Sequence, residues 1–212
     1  MALDWVKGKS SSNAAEQDSP KQYTDQEIAQ ARQWFEKAKA VFDTRNYDYA
    51  IECYINGLGC WPVAVEEGHK PLMFVALTRA GAGGKKAGAV ESFRRPTGGK
   101  DFLKAMLNAE YLLAKDPKNP SLLEAVFKNA VKAKIDDVAM WIGPSYKDAA
   151  VAEKKQNPAR YRLLTDLYVE IAERQAQAGN LENGIEAYQR SIEAMSRLRQ
   201  TDPKNLDLGK EQ

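Results

Sequence analysis

The chain is poor in the residues that most often carry chemistry. Its 212 residues include only two cysteines and one histidine. Cys53 and Cys60 lie seven positions apart in one expected helix, which places them about 10 Å apart and beyond the reach of a disulfide. A zinc site would need both thiols and His69 and would still lack a fourth ligand of the usual kind. We therefore expect reduced core cysteines and no metal site.

The sequence also lacks a long apolar run and a large excess of one charge. Its longest clearly apolar run, 72–77, is far shorter than the roughly 20 residues that span a bilayer. The first twelve residues, MALDWVKGKSSS, lack the unbroken apolar stretch of a secretory signal. A formal net charge of +2 gives no strong field for steering nucleic acid or an anionic membrane. These features predict a cytoplasmic protein without membrane contact.

No set of residues points to catalysis. A Cys/His dyad would have to use His69, which lies in a connector and has no partner identifiable from the sequence. The acidic pairs at 66–67 and 136–137 are adjacent and would diverge on a helix, whereas acid/base catalysis needs two carboxylates that converge. We expect neither an enzyme nor a cofactor.

Most of the chain has the apolar spacing of three and four residues that is typical of amphipathic helices. Thr24 and Glu27 have the spacing of a capping box and predict a helix start. A turn is expected at 45–46, a break at Gly143 and Pro144, and another turn at 179–180. The last helix carries its apolar spacing at Leu181, Ile185, Tyr188, Ile192 and Met195. No run alternates apolar and polar residues, so we predict an all-α fold.

The sequence divides into three segments along the chain. Residues 1–22 are rich in serine and have little apolar periodicity, which predicts a flexible tail in which Trp5 could be an anchor. Residues 23–200 carry the helical pattern and a glycine-rich basic insertion at 81–100. Residues 201–212 begin a further polar segment without the pattern of a closing helix, so we expect the chain to continue.

Two windows repeat one pattern of small and aromatic residues. The first window is 31–64, with residue 31 counted as position 1. Its matching residues are Trp34 (position 4), Ala38 (8), Tyr47 (17), Ala50 (20), Tyr54 (24), Gly57 (27) and Pro62 (32). The second window begins at Thr165 as position 1. Its matching residues are Tyr168 (position 4), Ala172 (8), Gly179 (15), Leu181 (17), Gly184 (20), Tyr188 (24) and Ser191 (27). Both resemble the 34-residue tetratricopeptide repeat (TPR). This resemblance implies an α-α superhelix of about four antiparallel helix pairs, of which two are degenerate.

The resemblance also implies a function. TPR arrays are typically adaptors that bind a peptide or helix of another protein in a concave groove. The groove positions of the family can be carried over to this chain, with an approximate alignment for the second repeat. They give five cations and one apolar anchor, namely Arg32, Phe35, Lys39, Lys70, Lys128 and Lys132. Such a surface would suit an acidic or amphipathic segment. These positions could equally be ordinary solvated helix faces. The Lys and Asn that clamp chaperone carboxylates are replaced by Phe35 and Lys39.

The segment 79–100 offers an alternative function. It holds six of the 14 glycines and carries a net charge of +5, with Glu91 opposing six cations: Arg79, Lys85, Lys86, Arg94, Arg95 and Lys100. Glycine amides with cations can bind phosphate, but the G-x-x-x-x-G-K-[ST] spacing is absent. A mobile loop could bind nucleic acid or an acidic ligand through salt-dependent contacts, or could be merely a soluble insertion.

Overall fold

The computed structural model describes residues 22–202, which form nine α-helices, one π-helical turn and no β-strand. The predicted all-α class is confirmed. The predicted tail and C-terminal segment lie outside the described residues, except for residue 22 and residues 201–202. The helices are α1 (Asp25–Asp43), α2 (Tyr47–Cys60), α3 (Lys70–Gly81), α4 (Ala89–Arg94), α5 (Phe102–Lys115), α6 (Pro120–Lys132), α7 (Asp136–Ala152), α8 (Pro158–Gln177) and α9 (Leu181–Thr201).

The first helix begins where its capping residues predict. The Thr24 hydroxyl accepts a hydrogen bond from the Glu27 amide at 3.2 Å, and the Glu27 carboxylate accepts one from the Thr24 amide at 2.8 Å. This reciprocal arrangement satisfies two amide groups that have no partner within the helix. Asn46, Asp101, Asn119 and Asn157 accept amide hydrogen bonds at the starts of α2, α5, α6 and α8.

Four helices end in the same turn. After α1, α3, α6 and α8, a single residue adopts a left-handed conformation, namely Arg45 (φ 61°), Gly83 (φ 82°), Lys134 (φ 59°) and Gly179 (φ 81°). Each of these amides donates to the carbonyl three residues earlier, and the next amide donates to the carbonyl five residues earlier. This is the Schellman pattern. Another helix follows at once in three cases, whereas after α3 the segment 82–101 intervenes.

Adjacent helices pack as pairs, most extensively α8 with α9, α1 with α2, and α5 with α6, followed by α6 with α7. Two clusters of buried apolar side chains form the core. One is built from α1, α2, α3 and one side of α5, and the other from the opposite side of α5 with α6 to α9. Leu112 of α5 belongs to the first cluster and Leu113 to the second, so this helix joins the two cores.

The predicted break at residues 143–144 is wrong, because α7 continues through both. Pro144 has no amide hydrogen to donate to the Met140 carbonyl one turn earlier. The Arg190 guanidinium of α9 donates to that oxygen instead. Gly143 lets Tyr168 approach α7, since a Cβ at Gly143 would lie 2.0 Å from the Tyr168 hydroxyl oxygen. Tertiary contacts therefore satisfy a backbone that the local sequence disfavours.

Helix α9 packs with a face of small residues. The residues buried along it are Gly184, Ala187, Ser191, Ala194 and Leu198. The larger apolar residues that carry its spacing are exposed: Leu181, Ile185, Tyr188, Ile192 and Met195. None of the helices within residues 22–202 has the length and apolar character that crossing a membrane requires.

Candidate binding cleft

A cavity of about 520 Å³ opens where four parts of the chain meet. These parts are the connector 61–67, which ends in the π-helical turn, and the start of α7, the end of α8 and the start of α9. Its lining is Trp61, Val63, Ala64, Val65, Glu66, Glu67, Asp136, Asp137, Met140, Ile171, Gln175, Asn183 and Glu186. We call this cavity the acidic cleft, because its lining combines apolar side chains with five carboxylates and contains no lysine or arginine.

Glu67 is held in place from α1. Its two carboxylate oxygens accept hydrogen bonds from the Arg32 Nε at 2.8 Å and Nη2 at 2.7 Å. The same guanidinium lies 5.4 Å from the centre of the Trp61 ring. Hydrogen bonding by Arg32 lowers the pKa of Glu67 and keeps it ionised. Arg32 therefore orders one wall of the cleft without contributing to its lining.

Asp136 is buried at the start of α7 and is bound from α8. Arg174 Nη2 and Nε donate to its two oxygens at 2.6 and 3.0 Å, and Gln175 Nε2 donates at 2.6 Å. Burial opposes the charge of Arg174, but the hydrogen bond and the charge of Asp136 outweigh it and raise the Arg174 pKa. These bonds fix α7 to α8 and set the position of Asp137, the next residue along the chain.

Asp137 differs from the other four carboxylates of the cleft. Glu66 is paired with Lys70, and Glu186 with Arg190 at 2.6 Å, so each has a cation beside it that lies outside the lining. Asp137 is exposed and has no ion-pair partner among residues 22–202. A paired carboxylate still retains acceptor positions for a second donor. The cleft can therefore accept several hydrogen bonds from a cationic group beside its apolar surface.

The structure does not bring the predicted basic groove residues together as a basic surface. Phe35 is 2% exposed and packs against Tyr54 with 5.8 Å between ring centres, so it offers no surface for an anchor. Gly57 and Gly68 leave room for its ring. Four of the five cations are paired with glutamates, namely Arg32, Lys39, Lys70 and Lys132, while Lys128 is exposed on α6.

Three of the six cations predicted for the segment 79–100 are engaged within the fold. Arg79 is 7% exposed and donates to Asp48 at 2.8 Å, and Lys86 is paired with Asp116 at 3.0 Å. The Arg95 guanidinium stacks 3.5 Å from the centre of the Tyr111 ring. The remaining three are exposed without an ion-pair partner in the described part of the chain: Lys85, Arg94 and Lys100.

The segment predicted to be a mobile loop contains α4 and has fixed contacts with α5 and α6. The Tyr111 hydroxyl donates to Glu91 at 2.6 Å, and the amide groups of Asn108 and Asn129 donate to the carbonyls of Pro96 at 3.0 Å and Thr97 at 2.9 Å. Both asparagines are buried, so the segment covers part of the helix surface. Phe93 of α4 points outward and is 88% exposed.

Sequence reasoning did not find the acidic cleft. Its carboxylates occur as two adjacent pairs, which we expected to diverge, and one lone glutamate that no pattern singles out. No spacing along the chain links residues 61–67 with 136–186, because only the packing of α7, α8 and α9 against the connector brings them together. Among the described residues, no group of three or more His, Cys, Asp and Glu side chains is arranged to hold a metal ion.

Comparison of the chain with protein-family models, with curated proteins and with solved structures finds no match. The resemblance to the TPR pattern therefore rests on the residues and turns of this chain alone.

Proposed function

We propose that the chain is a TPR-like interaction module that binds a segment of another protein in the acidic cleft. The four identical helix-ending turns support the repeat architecture, because they fall after the first helix of each repeat that the sequence suggests. The cleft itself carries the functional proposal. It combines apolar surface with convergent polar groups in one concavity, as ligand sites commonly do, and five of those groups are carboxylates.

The chemistry of the lining indicates a partner segment with lysine or arginine beside apolar side chains. Cationic donors would find Asp137 and the remaining acceptor positions of the paired carboxylates. Apolar side chains would pack on Trp61, Val65 and Met140. An acidic segment, which the sequence alone favours, would meet carboxylates in the cleft. Outside the cleft, most cations of the predicted groove are paired with glutamates.

Two labelled peptides of equal length test this proposal, one alternating lysine with leucine and the other glutamate with leucine. We expect fluorescence anisotropy to detect binding of the lysine peptide alone. Asp137→Lys should weaken that binding at least tenfold, because it adds a like charge where the ligand's cation would lie. Asp148→Lys is the matched control, since Asp148 is exposed on the same helix but outside the lining.

Two results would count against the acidic cleft. Preferential binding of the glutamate peptide would favour the basic groove. An equal loss of binding in the Asp137 and Asp148 variants would show a general charge effect and no specific site.

The second candidate function is nucleic-acid or phosphate binding by the segment 79–100, which the three exposed cations support. Replacing Lys85, Arg94 and Lys100 by alanine should weaken binding to a single-stranded oligonucleotide. The slope of log K against log salt concentration should fall by about two, since each phosphate contact contributes about 0.7. An unchanged slope would remove this candidate. The variant keeps Arg79, Lys86 and Arg95, whose contacts hold the segment in place.

A further inference from the structure

Helix α9 carries a continuous apolar stripe that the rest of residues 22–202 leaves exposed. Leu181 is 65% exposed, Ile185 59% and Ile192 62%, and Tyr188 and Met195 complete the stripe. These five residues are spaced by four, three, four and three positions, so they form one line along about 21 Å of the helix. Five large apolar side chains in one exposed line are characteristic of an interaction surface.

The stripe is separate from the acidic cleft. At about 100° per residue, Asn183 and Glu186, the α9 residues that line the cleft, lie on roughly the opposite side of the helix. The face buried against the rest of the chain, which includes Ala187 and Ala194, lies between these two sides. A partner on the stripe would therefore leave the cleft accessible.

The spacing of the stripe suits a second α9 helix. A repeat of four and three residues keeps a line of side chains facing a partner helix when two helices wrap around each other. Two antiparallel copies can be aligned so that Tyr188 faces Ile192 of the second copy and Ile185 faces its Met195. Exchanging the two copies gives the same pairs of facing residues, which is the condition for a two-fold symmetric interface.

The charges at the two ends of the stripe select the antiparallel arrangement. Glu182 lies at the start of α9 and Arg199 at its end, and both are exposed without an ion-pair partner in the described part of the chain. The polar positions between them on this side, Gln189 and Ser196, are uncharged. Parallel copies would place Glu182 beside Glu182 and Arg199 beside Arg199. Antiparallel copies place each glutamate beside an arginine.

We propose that the exposed stripe of α9 binds the same stripe of a second copy of the chain in an antiparallel, two-fold symmetric interface. Tyr188 and Ile192 form its centre, and two pairs of Glu182 with Arg199 close its ends. The dimer carries one acidic cleft on each copy, directed away from the interface, so it can bind two partner segments. The interface does not depend on what the clefts bind.

Sedimentation equilibrium of the full chain tests the proposal. We expect the wild type to show twice the monomer mass and Ile192→Glu to show the monomer mass, with dimer affinity reduced at least 100-fold. Circular dichroism should show unchanged helicity, because residue 192 is exposed on a helix and glutamate is a good helix former. Val90→Glu is the matched control, since Val90 is 65% exposed on α4 and should leave the dimer unchanged.

A charge exchange tests the antiparallel arrangement. Glu182→Arg and Arg199→Glu should each weaken the dimer about tenfold, because each places like charges together at both ends. The double variant should recover the wild-type affinity, since it restores both pairs with reversed sign. Arg197→Glu, on the other side of the helix, is the control and should have little effect.

Three results would overturn the proposal. The first is a wild type that stays monomeric up to about 1 mM, the dissociation constant of a very weak complex. The second is a dimer that persists in Ile192→Glu, because the contact would then lie elsewhere. The third is a double charge variant that fails to recover, because Glu182 and Arg199 would then not be paired between copies.

Discussion

Helices α5 and α9 are both amphipathic in sequence, yet α5 has neighbours on nearly every side and α9 exposes its largest apolar side chains. In α5 the run from Asn108 to Lys115 is buried, and each of its polar residues has at least one hydrogen-bond partner within the fold. In α9 the small residues face inward and Ile185 and Ile192 face outward. Helical periodicity therefore shows that a helix has an apolar stripe but does not show which stripe the fold covers.

The difference is also one of position along the chain. Helix α5 joins the two core clusters and binds the π-helical turn and α2 through ion pairs. Helix α9 is the last helix described, and its contacts are mainly with α8. Helix α5 therefore has neighbours on two sides, whereas α9 is covered mainly on one side by the rest of residues 22–202.

The largest loss of stability is expected at the buried pair that Glu110 of α5 forms with His69. The His69 Nε2 donates to the Pro62 carbonyl at 2.8 Å, and its Nδ1 lies 2.7 Å from a Glu110 carboxylate oxygen, whose charge favours an imidazolium that donates through both nitrogens. Glu110→Leu removes the carboxylate and should lower the free energy of unfolding by about 3 to 5 kcal/mol. Urea unfolding followed by circular dichroism measures the loss. A loss below about 1 kcal/mol, the size of an ordinary hydrogen-bond deletion, would contradict the importance of this pair.

The same pair predicts a pH dependence. Burial opposes the charge of His69, but Glu110 outweighs it and raises the His69 pKa above the ordinary 6.5. A raised pKa in the folded state contributes stability that is complete below pH 6.5 and is lost as the pH rises through the folded value. The unfolding free energy of the wild type should therefore fall above pH 6.5. Glu110→Gln should show a smaller fall, and parallel pH profiles would contradict the assignment.

A matched pair of truncations tests the two helices directly. Leu113→Ala in α5 should cost about 2 to 5 kcal/mol, because Leu113 is fully buried and its truncation leaves a cavity. Ile192→Ala in α9 should change the stability of the monomer by less than about 0.5 kcal/mol, as expected for an exposed site. Urea titrations at protein concentrations low enough to exclude dimers measure both. Similar costs would show that the exposed stripe also stabilises the single chain.

A smaller effect is expected where α9 contacts α7. Arg190→Ala removes the donor to the Met140 carbonyl, which Pro144 leaves without its helical partner, and should cost about 1 to 3 kcal/mol. In a Pro144→Ala background, the alanine amide introduced there can donate to that carbonyl, so the Arg190 substitution should cost less. A double-mutant cycle of urea unfolding measures the coupling. Additive effects would show that Arg190 does not compensate for the proline.

The smallest effect is expected at the predicted capping box of α1, far from both α5 and α9. Thr24→Ala should lower the unfolding free energy by about 1 kcal/mol, the usual cost of losing a side-chain cap. Thr24→Ser retains the hydroxyl and should restore most of it. Thermal unfolding of the two variants checks this difference. Equal stability of the alanine variant and the wild type would show that α1 is held by packing alone.

Much of the local structure could be predicted from the sequence. The capping pair Thr24 and Glu27 fixed the start of α1, and Gly179 marked the turn between α8 and α9, because caps and left-handed turns depend on neighbouring residues. The break at Gly143 and Pro144 was wrong. The donor that replaces the missing amide hydrogen bond comes from Arg190 on α9, two helices further along the chain, and no local pattern contains it.

The candidate sites show the same limit. Sequence reasoning placed Phe35 in a groove, since its repeat position and its helical spacing fit either a core or a surface. It expected Asp136 and Asp137 to diverge without forming a site, since the connector that meets them in the cleft is separated from α7 by four helices, α3 to α6.

The all-helical class, most helix bounds and the turns at 45–46 and 179–180 could be predicted without the fold, because hydrogen bonds and steric limits within a few residues decide these. The packing of the helices sets which stripe of α9 is covered, which cations are paired and where carboxylates converge. Those outcomes depend on helices that are distant along the chain, and burial and charge pairing act through space.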